Sequence, residues 1–349
     1  VKEFNKVLAV ETSCDDTSVA IVDRYGHVLV QVSANQDLQH APFGGIVPEI
    51  ASRNHSVALL PLIHHSLDKV GLTLLDVDGL AVTNRPGLIG SLIVGIMTIK
   101  GISQSYGTPL IGVNHLEGHL LAPFLKDKEY SPPENFDYPY IALAVSGGHS
   151  SLYLVKSPSD YIVIGTTKDD AAGEAFDKFA KMLGLGFPGG LLVDQNAQQG
   201  DPNKYQFPRG LLNEESLMMS FSGMKSSAQR MLEKMSSEEK TENAKNLCAS
   251  FQEAIVDTLV TKTQKAADRF GIKRLVITGG VSANSRLRER FKTLQPAYEV
   301  VIPPLRYCTD NAAMIGYAGI LRLNRGESHD LSLGPSAQLL DSDFKYQLQ

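Results

Sequence analysis

Short apolar runs alternate with longer stretches of helical periodicity along this chain, the pattern of an α/β protein whose sheets are covered on both faces. Residues 7–10 and 19–22 are apolar and flank the polar segment Glu11-Thr12-Ser13-Cys14-Asp15-Asp16-Thr17, which predicts strand, tight loop, strand. Residues 141–145 and 152–155 repeat the pattern around Ser146-Gly147-Gly148-His149-Ser150-Ser151. Superposing Val10 on Val145 gives an offset of 135 positions, about one domain, so two related lobes are expected.

Further along, residues 274–278 read as a buried strand, Gly279-Gly280 as a turn and residues 285–292 as the start of a helix. Asp310-Asn311 precedes an apolar helix from Ala312 to about Leu323. The most apolar window, residues 88–99, is too short to span a bilayer; its Gly90, Ser91 and Gly95 predict a buried, closely packed helix. The charged, proline-bearing stretch 126–135 is the expected interlobe linker, and 199–215, 234–243 and 326–336 read as surface loops. The expected division is an N-terminal lobe over 1–128, a linker over 129–139, a second lobe over 140–325 and a tail over 326–349 that packs across the lobes.

Composition narrows the picture. A net charge of −5 argues against coating nucleic acid or anionic membrane through bulk charge, so any nucleic-acid partner must meet a local patch. The densest basic run is Arg286, Arg288, Arg290 and Lys292, which reads equally as a solvated helix face. Cys14, Cys248 and Cys308 make no CxxC, and the first residues hold no signal-peptide core; a cytoplasmic location is expected.

Candidate chemistry centres on His115 and His119, the one pair of histidines four positions apart. On a helix that spacing turns both imidazoles to one face, as a metal ion requires, while chance supplies roughly 0.2 such pairs in a chain of this composition. On spacing alone the pair also reads as two surface histidines. Asp310 reads as a helix cap, or as a carboxylate ligand completing a three-ligand set with open positions. The metalloprotease motif HExxH is absent: Leu116 follows the first histidine, and Glu117 falls about 200° around the helix from His115.

Three turns can bring backbone amides to a phosphate: Thr12-Ser13, Ser146-Gly147-Gly148-His149 and Gly279-Gly280-Val281-Ser282-Ala283-Asn284. Each alone also reads as an ordinary hairpin or strand-to-helix loop; together they favour a nucleotide in a cleft between lobes. The stretch from Asp169 reads as a helix capped by Asp169 or Asp170, with Glu174–Lys178 and Asp177–Lys181 as surface pairs. Pro188-Gly189-Gly190 reads as a turn open to a ligand, with Asp194 four residues on.

Taken together, the strings VETSCDDTSVAIV from Val10, FGGIVPEIASRNH from Phe43, HLEGHLLAPF from His115, AVSGGHSSLYLV from Ala144, DDAAGEAFDKFAKMLGL from Asp169, FPGG from Phe187, SFSGMKS around Ser222, ITGGVSANSRLR from Ile277 and CTDNAAMIGYAG from Cys308 resemble the universal tRNA N6-adenosine threonylcarbamoyltransferase family. The resemblance covers nearly the whole chain. It implies an actin-like ATPase fold, related to ribonuclease H, with two lobes and a nucleotide cleft between them. It implies transfer of the threonylcarbamoyl group from threonylcarbamoyl-AMP to N6 of adenosine 37, in tRNAs reading codons that begin with A. By the same resemblance, His115, His119 and Asp310 hold one divalent metal ion, Fe2+ ahead of Zn2+. Ala144, Val145, Ser146, Gly147, Gly148, Asp177, Gly190, Asp194 and Asn284 bind the acyl-adenylate, whose cleft ATP or ADP also fits.

Implied partners are tRNA, with a paralogous inactive subunit and a small P-loop ATPase in bacteria or a homodimer in an organelle, and no membrane. Arg85 departs from the family's glycine before Pro86, and Asp16 from its glutamate. In the expected chemistry the metal polarises the acyl carbonyl while N6 attacks and AMP leaves; no residue stands out as a general base. A small-molecule kinase of the same fold and a non-catalytic nucleotide-binding scaffold are the alternatives; neither needs the histidine pair.

Overall fold

Strands β1 (Lys6–Glu11) and β2 (Thr17–Asp23) carry unbroken apolar runs at 7–10 and 19–22 because both faces are covered there. With β3 (Val28–Ala34), β4 (Gly79–Arg85) and β5 (Leu110–Asn114) they form a sheet of order β3-β2-β1-β4-β5, antiparallel on the β2 side of β1 and parallel on the β4 side. Leu8, Val10, Leu80 and Val82 share a core with Leu59 and Ile63 of the helix Pro48–Val70 and with Leu92 and Ile96 of the helix Ile89–Tyr106. The opposite parity receives the helix Ala312–Asn324, where a Cβ on Gly316 or Gly319 would stand 3.1 or 2.6 Å from Cβ of Ala9 or Ala81.

A second sheet contains β6 (Tyr140–Val145), β7 (Ser150–Ser157), β8 (Asp160–Thr166), β9 (Arg274–Thr278), β10 (Glu299–Val301) and β11 (Lys345–Tyr346) in the order β10-β9-β6-β7-β8-β11. From β6 to β10 it repeats the pairing of β1 to β5, antiparallel on one side and parallel on the other. The duplication expected from sequence is therefore real. The paired strands end at Glu11 and Val145, so the register is one position off the Val10–Val145 superposition. This sheet packs on Phe176 and Phe179 of the helix Ala172–Met182 and on Phe251 of the helix Ser237–Phe270, with the Phe179 and Phe251 rings stacked at 3.9 Å.

The computed structural model describes residues 3–340 and 342–348, and the chain divides into Val1–Phe136 with Pro303–Asp343, and Asp137–Ile302 with Phe344–Gln349. The first break, after Phe136, lies one residue past the charged stretch 126–135. The second lobe, expected to run to 325, instead ends at Ile302, because Gly316 and Gly319 let the helix Ala312–Asn324 seat on the small residues of the first sheet. The tail lies along the first unit, where His329 N–H donates to Leu110 O and Ser336 N–H to Asn84 O, before β11 pairs with β8 of the second.

Other expectations need adjustment. Residues 237–243 are helical because a capping box of Ser236 and Glu239 starts the long helix there. The helix from Ile89 is buried along one face only: Ile89, Ile93 and Met97 are 42, 43 and 59% exposed. Gly95 does serve close packing, since a Cβ there would stand 2.5 Å from Thr12 Oγ1. Among the described residues no helix is long and apolar enough to cross a membrane.

Candidate metal centre and glycine-lined pocket

Strand β5 runs directly into the helix His115–Leu121, started by the Asn114 side chain, which accepts a hydrogen bond from Leu116 N–H at 2.9 Å. Every residue of that helix is buried. One turn apart, the His115 and His119 rings meet edge to face with centroids 4.7 Å apart and Nε2 atoms 3.2 Å apart. Asp310 Oδ1 completes a triangle, 3.2 Å from His115 Nε2 and 3.3 Å from His119 Nε2. With metal–ligand bonds of about 2.1 Å, two donors on one ion sit roughly 3.0–3.4 Å apart, so the three atoms fit a shared divalent cation. Among the described residues these three form the group able to hold a metal.

Glu11, at the end of β1, fixes the donor atom. Its Oε2 lies 2.9 Å from His115 Nδ1 and accepts from Thr83 Oγ1 at 2.5 Å, while Oε1 accepts from Ser13 N–H at 2.5 Å. A carboxylate at Nδ1 keeps the proton there and leaves the Nε2 lone pair for a ligand role. Burial opposes charge on all these groups. For His115 the opposition is overcome by Asp310 and Glu11 on either side, which raise its pKa well above the ordinary value. Burial and the neighbouring His115 hold His119 below the ordinary value, against the pull of Asp310. Despite burial, Glu11 and Asp310 are both held low, chiefly by the His115 charge. Without an ion, a proton on His115 therefore reconciles the cluster.

Two sequence expectations resolve here. Asp310 is not a helix cap: Asn311 is, its Oδ1 accepting from Met314 N–H at 3.0 Å, and the Asp310 carboxylate turns to the histidines. Glu117 points away from the cluster, lying 3.6 Å from Arg322 in a buried ion pair, which leaves it no role as a hydrolytic base. Arg85 clasps the Asp343 carboxylate through Nε at 2.7 and 2.9 Å and through Nη2, so the departure at this position ties down the tail.

The second unit carries a cavity of about 250 Å³ lined by Gly147, Gly173, Phe176, Asp177, Gly190, Asp194, Gly280 and Asn284, among others. Pro188-Gly189-Gly190 is a helix start and not a loop turn: Gly189 and Gly190 N–H donate to Asp177 Oδ1 at 2.9 and 3.2 Å. Asp177 is thereby turned inward and makes no pair with Lys181, whereas the Glu174–Lys178 pair forms at 2.7 Å. Burial pushes the Asp177 carboxyl up despite those two amides. Asp194 accepts from Ser285 N–H and Oγ at 3.1 and 2.7 Å. Asn284 caps the helix Ser285–Lys292 and donates to Gln252 Oε1 at 2.6 Å. Gly279, at φ +87° with a would-be Cβ 2.4 Å from Val145 O, lets β9 turn beneath the cavity.

Other expected residues lie elsewhere. Ala144 and Val145 are buried in β6, and Ser146 closes the hairpin by accepting from His149 N–H at 3.2 Å. Gly148 sits at the exposed tip beside Gly147, outside the cavity lining. Thr12 and Ser13 are buried and bonded within the first unit, to Ser91 O and to Glu11, and form no phosphate cradle. Asp169 does not cap its own helix; it accepts from Phe221 and Ser222 N–H at the start of the helix Ser222–Leu232, while Asp170 pairs with Lys178. Arg286 and Arg290 of the basic run are engaged by Glu253, Asp257 and Glu289, which neutralises two of its four cations as a nucleic-acid patch. Glu11 went unmarked as a site residue. Its signal was an acid directly ending an apolar strand.

The family model "TsaD: tRNA N6-adenosine threonylcarbamoyltransferase" matches residues 27–317. A protein of that name from Bdellovibrio bacteriovorus is 62% identical over 98% of this chain and 100% of its own length, and one from Sorangium cellulosum is 46% identical over 95% and 96%. Among solved structures, HypF of T. kodakarensis matches with a TM-score of 0.61 at 13% identity over 95% of this chain and 49% of its own. Component A of the Acidaminococcus fermentans (R)-2-hydroxyglutaryl-CoA dehydratase matches with 0.53 at 13% identity, over 91% and 98%. These structural likenesses show the actin-like ATPase fold alone.

Proposed function

Since the chain belongs to the tRNA N6-adenosine threonylcarbamoyltransferase family, and is thus a transferase that forms threonylcarbamoyladenosine in tRNA, we propose that its donor is threonylcarbamoyl-AMP and that His115, His119 and Asp310 hold the metal that grips the acyl group. The acceptor in this reading is adenosine 37 of tRNAs that read codons beginning with A. The triangle of Nε2, Nε2 and Oδ1 at 3.2–3.3 Å carries the proposal. A bound divalent ion supplies Lewis acidity for the acyl carbonyl. Two imidazoles and one carboxylate with open positions suit Fe2+ ahead of Zn2+.

The residues of the chain do the rest. Glu11 orients His115, and the buried helix holds both imidazoles against displacement. In the second unit, Asp177, Asp194 and Asn284 present acceptors and a donor suited to a ribose and an adenine edge, and Gly147 and Gly190 leave backbone open to the nucleotide. Ala144, Val145, Ser146 and Gly148 act by shaping the hairpin. ATP or ADP fits the same pocket. For partners, we favour a paralogous subunit of the same fold with a small P-loop ATPase. The exposed stripe Ile89, Ile93 and Met97, and Val57 and Leu60 of the helix Pro48–Val70, suit a helical partner face. The buried thiol Cys248 accords with a reducing cytoplasm.

The test is metal analysis of the purified protein together with nucleoside mass spectrometry of tRNA incubated with threonylcarbamoyl-AMP. His115→Ala is expected to lose both metal and modified nucleoside; retention of both refutes the reading.

A further inference from the structure

A second cavity, of about 530 Å³, lies wholly within the first unit and opens on the metal ligand Asp310. Its floor is the edge strand β3 at Val28, Leu29 and Val30, and its walls bring Asp16, Gln31 and Arg306 around the same space. The volume is in the range of small-molecule and nucleoside sites. We propose that this cavity receives the acceptor adenine, with Asp16 taking the proton that N6 gives up. The proposal deepens the reading above and rests on the acyl group being held at His115, His119 and Asp310.

Three observations select the occupant. First, the polar lining is rich in acceptors. Asp16 and Asp310 present carboxylates, and the Gln31 side chain beside them is held by its amide nitrogen, which donates to Arg306 O at 3.2 Å. An exocyclic amine has two hydrogens to give and satisfies such a set, whereas a keto oxygen would face acceptors. Second, the lining is acid-rich. Its one cation, Arg306, is already engaged by Asp127 at 2.9 Å and by Glu129, so the carboxylate of a threonyl group would be repelled and a neutral base would not. Third, the floor is apolar and the Arg306 guanidinium lies 5.2 Å over the Tyr307 ring, a setting for a planar base.

The placement makes a balanced step. N6 forms a bond to the carbamoyl carbon, and the bond from that carbon to the phosphate oxygen breaks, its electron pair leaving with AMP. The proton released from N6 passes to a carboxylate oxygen of Asp16 and from there to water. Asp16 is anchored for this by Asn35, whose Nδ2 donates to Oδ1 at 3.0 Å and leaves the second oxygen to the cavity's occupant. Burial, ahead of the neighbouring Asp15 charge, raises its carboxyl above the usual carboxylate range.

Asp16→Asn and Asp16→Glu test it, in the metal-loaded full chain under conditions where the wild type transfers. Three readouts are taken: metal content, single-turnover transfer from threonylcarbamoyl-AMP, and fluorescence of an anticodon stem-loop that keeps adenosine at the acceptor position and carries 2-aminopurine at the adjacent position. Asp16→Asn is expected to keep its metal and the fluorescence change on binding, yet to slow transfer about 100-fold or more, as loss of a proton acceptor does. Asp16→Glu is expected to recover most of the rate. Transfer by Asp16→Asn at the wild-type rate, or slowed only in proportion to lost metal, overturns the role of Asp16. A fluorescence change that survives Gln31→Ala and Leu29→Trp unaltered overturns the cavity. Failure of the metal reading would show separately, as unimpaired transfer by His115→Ala.

Discussion

Replacing Glu11 by Gln is the sharpest probe of the proposed metal centre. The carboxylate is fully buried and accepts from three donors: Ser13 N–H, Thr83 Oγ1 and His115 Nδ1. A carboxamide keeps the shape but turns one acceptor into a donor. If oxygen stays toward Ser13, the new NH2 faces His115 Nδ1, and relief comes from moving the imidazole proton to Nε2. That nitrogen is the one facing His119 and Asp310 at 3.2 Å, so the tautomer that relieves the clash blocks the ligand. Loss of such an orienting partner weakens metal binding by about 10–100-fold, or roughly 1.4–2.7 kcal/mol.

The assay is competition against a chelator of known affinity, with circular dichroism and melting of the metal-free variant as controls. Metal-free Glu11→Gln is expected to fold, because the substitution also removes a buried charge. Wild-type metal affinity in this variant would refute the claim that Glu11 sets the His115 tautomer. Equal losses of affinity in Glu11→Gln and Thr83→Val would assign the effect to packing of the strand ends.

Two further outcomes follow from the same geometry. The raised His115 pKa stabilises the metal-free fold fully below the ordinary imidazole value of 6.5, and that contribution is lost as pH rises through the raised value. The lowered Asp310 and Glu11 act oppositely, their contribution lasting above the ordinary carboxylate range and fading as pH falls through the lowered values. Chelator-treated protein should therefore melt at progressively lower temperature as pH climbs from neutrality, while metal-loaded protein should not; a flat metal-free profile contradicts the charge assignment. Arg85→Ala leaves the Asp343 carboxylate, 2% exposed, with Leu340 N–H as its one side-chain partner among the described residues, a loss of about 3 kcal/mol if the tail stays in place. Release of the tail is cheaper, so amide exchange should quicken at His329 and Ser336, which hydrogen-bond to Leu110 and Asn84; unchanged protection there would show that Arg85 does not hold it.

The duplicated strand pattern and the histidine pair were legible in the sequence because both are local, one a continuous apolar run of four or five residues and the other a spacing of four. Features set by contacts between distant segments were not. Asp310 and Asn311 are neighbours that both suit a helix start, and only the docking of the helix Ala312–Asn324 on β1 and β4 decides which one caps and which faces the histidines. Likewise Arg286 and Arg290 read as free charge until Glu253 and Asp257, spaced four apart on a helix over thirty residues earlier, turn out to face them. Asp177 and Asp169 each reach a helix other than their own, which no pattern within one helix can display.

The duplication also explains why one architecture yields two unlike sites. Glu11 and Val145 end equivalent strands, β1 and β6, and each leads into a hairpin turn. In the first copy Thr12 and Ser13 of the turn are buried and bond inward, and the terminal acid reaches across to orient His115. In the second copy an aliphatic residue ends the strand, and Gly147 and Gly148 have nothing within 4 Å of where a Cβ would stand, so backbone is open to a ligand. One hairpin works through side chains and the other through their absence. Proteins with only 13% identity share the scaffold, so the scaffold cannot choose the reaction. On the reading proposed above, the choice lies in three side chains of the first copy and the carboxylate behind them, and the Glu11→Gln measurement therefore tests the specialisation of the duplicated fold as well as one hydrogen bond.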